Sequence, residues 1–302
     1  MELLVSILIP TLNREEVLCE TIGYCLDQSY PNYEVIVVDQ TDNHNVETKK
    51  QLEVFSNKIK YFNVPCQGLP QARNVCIDKA EGDILIFIDD DVILNSDFVQ
   101  KHVQVYEREG DIDAIAGGIL EEPNMEKADI PITKRNFLGR PNINYHSSKN
   151  GNVLAAKGCN MSFRRKVFDL VGGFDEALPA PYLREDTDFF YRMNQMGLKT
   201  FFSSEAYLIH LKTPSGGTSE LKMSTNKTIA TRAPWNRRAS YLCETVFQLK
   251  HYSLLYFPLY LTYFFIGWVV LKNIKQPIMF LTSAKEMCYG VVEGCKYFYN
   301  KY

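Results

Sequence analysis

Neither a GxxxxGK[ST] loop nor a GxGxxG run occurs in the 302 residues. The first absence removes the phosphate cradle of P-loop nucleotide hydrolases, the second the fingerprint of nicotinamide and flavin enzymes. None of the cysteines, Cys19, Cys25, Cys66, Cys76, Cys159, Cys243, Cys288 and Cys295, forms a CxxC pair. A zinc ribbon or a thioredoxin-type site therefore has no basis. Excess charge of one sign is missing too, since 33 Lys and Arg against 36 Asp and Glu leave −3. So balanced a chain does not present the basic surface of a nucleic-acid binder, and no nucleic-acid partner is expected. The N-terminus has no basic flank or cleavage site of a secretory leader. Free thiols in a reducing cytoplasm are the expectation. No repeat or low-complexity tract occurs, and 46% hydrophobic with 23% charged residues is an ordinary folded composition.

What is present alternates. Residues 3–9 (LLVSILI) are an apolar, β-branched run stopped by Pro10. The run reads as a buried strand. Asn13 then offers an N-cap with Glu16 as its capping-box partner, for a helix running to about Asp27. A strand at 34–38, a helix at 45–56, a strand at 59–63, a helix from Gly68 to Lys79 and a strand at 83–88 follow. A helix at 97–109 and a strand at 112–119 complete the regular part. Strands apolar on both faces and separated by helices predict an α/β fold with a mainly parallel sheet between helical layers. Residues 120–150, rich in Pro, Asn and Lys, read as loops, and periodicity returns at 153–171 and 183–202.

The C-terminal stretch changes character. Residues 254–271 (LLYFPLYLTYFFIGWVVL) carry no charged residue, which meets the short end of a membrane-span length. Tyr and Trp crowd it, as at bilayer interfaces. Residues 277–299 add an apolar and aromatic stripe suited to lying along a membrane surface. A helical hairpin packed on the main domain or on a second subunit, hence a homo-oligomer, is the alternative. We divide the chain into a catalytic domain, 1–215, and a helical, membrane-associated region, 216–302.

Ligands of such sheets bind beyond the carboxyl ends of the strands. Asp39 follows the second strand, and Asp89, Asp90 and Asp91 close the fourth. Side chains two apart on an extended chain leave the same side, so Asp89 and Asp91 converge on one point. Paired carboxylates there suit Mg²⁺ or Mn²⁺ bridging substrate phosphates. Arg73, early on its helix, has a planar fork that reaches phosphate or a base carbonyl. Glu185 and Asp186 open a helix with the apolar spacing of Phe189, Phe190 and Met193, where a carboxylate caps the helix or serves as a general base. His210, after the strand-like 206–209, fits a metal ligand or a structural side chain.

These stretches together resemble one family. SILIPTLNREEVL, EVIVVDQTDN, GLPQARN, ILIFIDDDV, GCNMSFRRKVFDLVGGFDE and REDTDFFYRM, in that order between about residues 4 and 212, look like the family 2 glycosyltransferases of the GT-A fold. The resemblance implies inverting transfer of a sugar from a nucleotide-diphosphate donor, a UDP-sugar first, with a divalent metal. It implies that Pro10 and Thr11 line the nucleotide pocket, that Asp39 meets the base, and that Arg73 contacts base or diphosphate. Asp89 would face the ribose, with Asp90 also on the donor side, while Asp91 and His210 would hold the metal. Gly158, Asn160, Asp175 and Glu185 fall on the acceptor side, and Asp186 is the general base. VVDQTDN departs from the family, where a second Asp and Gly-Ser commonly follow, which bears on base recognition. The aromatic C-terminus suits a glycan or lipid-linked acceptor at the inner face of the cell membrane. A pyrophosphorylase would want a Gly-rich loop after the first strand, where Pro10-Thr11-Leu12-Asn13 stands. A non-catalytic, membrane-docked subunit would have no use for Asp89, Asp91 and Asp186.

Overall fold

The computed structural model describes residues 2–65, 67–135, 141–213, 237–270 and 277–302. It divides into two compact units, Met1–Asp175 with Asp186–Glu220, and Glu176–Glu185 with Leu221–Tyr302. The 176–185 segment thus clusters with the C-terminal unit, a detail that a single cut in the chain does not capture.

The first unit is built on β1 (Val5–Thr11), β2 (Tyr33–Asp39), β3 (Lys60–Asn63) and β4 (Ile84–Ile88). These four lie parallel in the order β3-β2-β1-β4. The helices between them are α1 (Glu16–Leu26), α2 (Val46–Phe55) and α3 (Leu69–Lys79). Side chains alternate across the sheet. Ile7 and Ile9 of β1 pack with Leu18 and Ile22 of α1, while Leu8 packs on the opposite face with Ala72 and Cys76 of α3. Both faces are covered, so every β1 residue is buried.

Next come β5 (Val92–Ile93), α4 (Phe98–Glu109), β6 (Ala114–Leu120), β7 (Thr133–Arg135), β8 (Pro141–Ile143), β9 (Gly151–Val153) and β10 (Asn160–Arg164). After them stand α5 (Lys166–Val171), α6 (Glu185–Gln195) and β11 (Thr200–His210). β10 inserts antiparallel between β4 and β6. β11 runs parallel to β6, and its far end pairs antiparallel with β5. Phe87, Phe163, Phe168, Phe174 and Phe189 form one aromatic cluster beneath this part, with Phe174 stacked on Phe189 at 4.6 Å.

Three expectations need correction. Asn13 does not cap α1: its φ is 53°, and its amide donates to Thr41 Oγ1 at 2.7 Å. Residue 15 holds the cap position without a side-chain cap bond. The 120–150 stretch is not all loop, because β7 and β8 pair there as a small antiparallel ladder. The 254–271 run is not one α-helix. Over 254–270 it passes without a break from a 3-10 turn (Leu254–Tyr256) through α8 (Phe257–Phe264) into a π-helix (Phe265–Val270). Among the described residues no helix is long and apolar enough to cross a membrane.

The second unit is helical: α7 (Arg237–His251), α8 and α9 (Pro277–Lys301). α9 crosses α7 at two glycines. A Cβ on Gly290 would stand 2.6 Å from Arg238 O, and one on Gly294 2.7 Å from Thr245 Cβ, so the close approach requires hydrogen at both positions. Tyr241, Tyr260, Val269 and Met287 fill the space between these elements. Every described cysteine is free; Cys66 lies outside the described residues.

Candidate active site

The two-residue strand β5 decides the geometry. Val92 pairs with His210, and Leu211 N donates to Asp91 O at 2.9 Å. That pairing draws the end of β11 onto the Asp89–Asp91 turn. His210 Nε2 then lies 3.3 Å from Asp91 Oδ1 and 3.6 Å from Asp89 Oδ2. On its other side, Nδ1 lies 2.9 Å from Glu121 Oε2. Glu121 also accepts from Lys157 Nζ at 2.6 Å and faces Lys212 Nζ at 3.2 Å. Burial raises the Glu121 carboxyl, but His210 and Lys157 outweigh it and hold it down at about 2. Burial lowers the His210 imidazole, yet Asp91 and Glu121 carry it up to about 9. A carboxylate on one ring nitrogen fixes the tautomer and leaves the other nitrogen to a metal, as in metal-ligating histidines generally.

The middle carboxylate faces away. Asp90 is buried, with Oδ2 accepting from Thr11 Oγ1 at 2.6 Å and Oδ1 from Arg14 Nε at 2.9 Å. Arg14 also donates to Asp91 Oδ2 at 3.1 Å and to Thr213 O at 3.2 Å. Burial lifts the Asp90 carboxyl to about 7 against Arg14 and Thr11. Burial raises Asp91 as well, but His210 and Arg14 keep it below the usual carboxylate range. Asp90 therefore ties the turn to β1 and α1 and does not reach the open face.

Asp39 is likewise engaged. It is fully buried. Oδ1 accepts from Thr41 N at 2.7 Å, and Oδ2 meets His44 Nε2 at 2.6 Å and the Tyr61 hydroxyl at 2.9 Å. His44 Nδ1 in turn faces Glu15 at 3.3 Å. This charged cluster borders a shallow cleft lined by His44, Lys49, Tyr61 and Asn63 among others. The VVDQTDN departure thus has a structural counterpart: Thr41 of that stretch and His44 just after it engage Asp39.

Across from Asp89, the β10 register pairs Asn160 with Ile88, which sets Cys159 and Gly158 beside the acidic turn. Arg73 is almost wholly buried, its guanidinium over Phe174 at 5.1 Å. A Cβ on Gly158 would lie 2.2 Å from Arg73 Nη2, so glycine is what lets the guanidinium pass. Asp186 is half-buried at the start of α6. Its Oδ2 accepts from Gly158 N at 3.3 Å and its Oδ1 from Thr187 N at 2.5 Å. Gly158, Arg73 and Asp186 are therefore brought together. Asn160 is not at the surface: its amide donates to Gly118 O and Ala206 O and so joins β6 to β11. Asp175 is half-buried in the loop after Phe174, and Glu185 is buried at the first position of α6. Pro10 and Thr11, at the end of β1, are both buried, and Thr11 is level with Asp39.

Four residues escaped the sequence reading: Arg14, Glu121, Lys157 and the Cys159 thiol. Arg14 follows the first strand by a few positions, which is a local signal. Glu121 and Cys159 acquire their places only through strand pairing.

The pattern of the family described as Glycosyl transferase family 2 matches residues 6–172. An uncharacterized glycosyltransferase of Haemophilus influenzae is 36% identical over 107 residues, 33% of this chain and 41% of that protein. The glucosyl-dolichyl phosphate glucuronosyltransferase of Haloferax volcanii is 26% identical over 174 residues, 57% of this chain and 56% of that one. Among solved structures, the mannosyltransferase of Pyrobaculum calidifontis in complex with GDP-Man and Mn²⁺ shares the fold, with a TM-score of 0.54 and 14% identity. It covers 98% of this chain and 74% of its own. The chain spans 41% of the first curated relative and 31% of each of the next two.

Proposed function

From membership of glycosyl transferase family 2, to which this chain belongs, we propose that the protein moves a sugar from a nucleoside-diphosphate donor to a hydroxyl acceptor, inverting the anomeric centre. What carries the reading is the convergence of Asp89 and Asp91 on His210 Nε2, with the Asp186 carboxylate held at Gly158 N nearby. Two carboxylates and an imidazole fit a divalent cation, Mn²⁺ or Mg²⁺. Held by Asp89, Asp91 and His210, it would neutralise the charge that develops on the leaving diphosphate. Glu121 keeps the His210 ring turned toward the carboxylates. Lys157 and Arg73 add positive charge on the same side, where anionic phosphates bind. Asp186 takes the proton from the acceptor hydroxyl as its oxygen attacks the anomeric carbon. One displacement needs one base and no covalent enzyme nucleophile. Asp39 organises the base-side loop through Thr41 and His44, and it reaches a nucleobase only by releasing one of its present partners.

The acceptor is a cell-surface polysaccharide or lipid-linked glycan at the cytoplasmic face of a membrane. The support lies in the second unit, where Leu254, Leu255, Tyr256 and Leu259 stand 60–85% exposed. So contiguous an apolar strip on a small helical unit suits interfacial docking on lipid.

Titration of the protein with UDP, GDP and dTDP, each with and without Mn²⁺, tests the donor site. Tight binding of one nucleotide, lost on chelation, is the expected result. Failure of all three to bind would leave the non-catalytic subunit as the better reading. Asp186→Asn should abolish transfer and spare donor binding; near-normal turnover would remove Asp186 as the base.

A further inference from the structure

Cys159 is a buried thiol to which the proposed transfer gives no role. Its Sγ, one carboxylate oxygen of Asp89 and one ring nitrogen of His210 all lie within 4.8 Å of one another. Two of the three groups already face each other, with His210 Nε2 3.6 Å from Asp89 Oδ2. In a tetrahedral site with metal–oxygen and metal–nitrogen bonds of about 2.1 Å, the two ligand atoms stand about 3.4 Å apart. The observed separation is close to that without movement. The ligands come from three different strand ends: Asp89 directly after β4, Cys159 directly before β10, and His210 at the end of β11. His210 is paired with Val92, and Asp89 and Cys159 adjoin the paired residues Ile88 and Asn160, so the sheet brings the three to one edge. Glu121 on Nδ1 completes the carboxylate–histidine arrangement that orients a ligating imidazole.

We propose that Asp89, Cys159 and His210 form a sulfur-containing site for a borderline, thiophilic divalent metal such as zinc or cobalt. The inference rests on the reading that Asp89 and His210 face a cation, and it adds the thiolate. Sulfur changes the selectivity of the position. Carboxylate and imidazole alone accept Mg²⁺ or Mn²⁺, whereas a thiolate favours zinc and cobalt. Binding forms the metal–sulfur and metal–nitrogen bonds and sends the thiol proton and the His210 ring proton that the metal replaces to solvent. Three protein ligands leave a fourth position open, as catalytic sites of this kind do, and a diphosphate oxygen or water fills it. Zinc seated there competes with the hard cation of the transfer reaction, so the enzyme becomes sensitive to free zinc through Cys159.

The test uses the metal-free full-length chain, without nucleotide, titrated with Co²⁺ after native alkylation of accessible thiols such as Cys288. The expected result is a sulfur-to-cobalt charge-transfer band in the near ultraviolet that saturates at one equivalent. In Cys159→Ser the band is lost while the visible cobalt absorption remains. Absence of the band in the wild type, or its persistence in Cys159→Ser, overturns the proposal. Should the variant not fold, ¹¹³Cd resonance of the alkylated wild-type protein decides. A thiolate-shifted signal supports the site, and a signal in the oxygen and nitrogen range refutes it. Nucleotide titration with Mn²⁺ separates the two readings. A sulfur band without nucleotide binding would sink the transferase mechanism and leave the metal site standing. Nucleotide binding without the band would do the reverse.

Discussion

Replacing Arg14 by Met keeps most of the apolar stem and removes the fork that joins two buried carboxylates. The side chains of Arg14, Asp90 and Asp91 are 8%, 6% and 3% exposed, so water does little to replace the lost partner. Removing one member of a buried pair costs about 3–5 kcal/mol. The loss depends on pH, and the sign is determined. Burial pushes the Asp90 carboxyl up to about 7 from its ordinary 3.8. The native state therefore holds this proton more tightly than the unfolded state, and stability falls as pH rises through that window. Without Arg14 the folded value climbs further, and the decline continues to higher pH. Near about pH 5 Asp90 is protonated with or without Arg14, and its share of the cost shrinks to broken hydrogen bonds, about 1–3 kcal/mol, while Asp91, held below the usual carboxylate range, still loses its ionic partner. Near about pH 8.5 the full cost appears. Urea unfolding of the metal-free protein at both pH values, followed by circular dichroism, measures the difference. A loss under about 1 kcal/mol at the higher pH, or an equal loss at both, would refute a buried ionic clamp in this position.

Other outcomes follow from the same geometry. Glu121→Gln replaces the carboxylate that turns His210 with a neutral amide, and Mn²⁺ affinity should fall about 10–100-fold by calorimetry; an unchanged value would mean the ring needs no charged partner. Asp91 and Glu121 carry His210 up to about 9 from its ordinary 6.5, so its contribution to stability is whole below pH 6.5 and is lost as pH rises through 9. A metal at Nε2 must displace that proton, so Mn²⁺ binding should strengthen with pH and release protons, seen as buffer-dependent heats; a pH-independent affinity would argue that the ion binds elsewhere. Gly158→Ala places a Cβ 2.2 Å from Arg73 Nη2, and the guanidinium must shift. Donor affinity should drop and stability fall by about 1–3 kcal/mol; a silent substitution would mean Arg73 has room to spare.

The parallel half of the sheet was readable because strands covered on both faces leave continuous apolar runs, as in EVIVV and ILIFI. The acidic triplet was readable for the same reason, since it ends such a run. Its internal division was not. Nothing local tells that Asp90 turns to Arg14 and Thr11 while its neighbours face His210; that follows from the pairing of Val92 with His210. Asn13 satisfied the capping pattern, yet Thr41 Oγ1 took its amide and the backbone turned left-handed. The strands Thr133–Arg135 and Pro141–Ile143 are too short to show alternation. The 254–271 run had the composition of a membrane span, but apolar length carries no information on helix type, and over 254–270 the helix changes type on either side of α8. Asp39 ends its apolar run as EVIVVD leads one to expect, but its carboxylate partners, Thr41, His44 and Tyr61, come partly from a neighbouring strand and are not legible from the run itself.

The insertion of β10 and the return of β11 to β5 also set an order of events. The four parallel strands and the acidic turn are complete by residue 91, long before Cys159 and His210 have been made. Arg14, by contrast, belongs to the earliest stretch and is there to accompany Asp90 and Asp91 from the start. Domains fold as their N-terminal parts emerge, and contacts distant in sequence form late. The histidine is thus the last piece to arrive, delivered when the final strand zips along β6 and catches β5. A metal that needs His210 would be taken up only after that step: a refolding chain should recover its helical signal before it can take up cobalt, and the interval between the two would be the time β11 needs to dock.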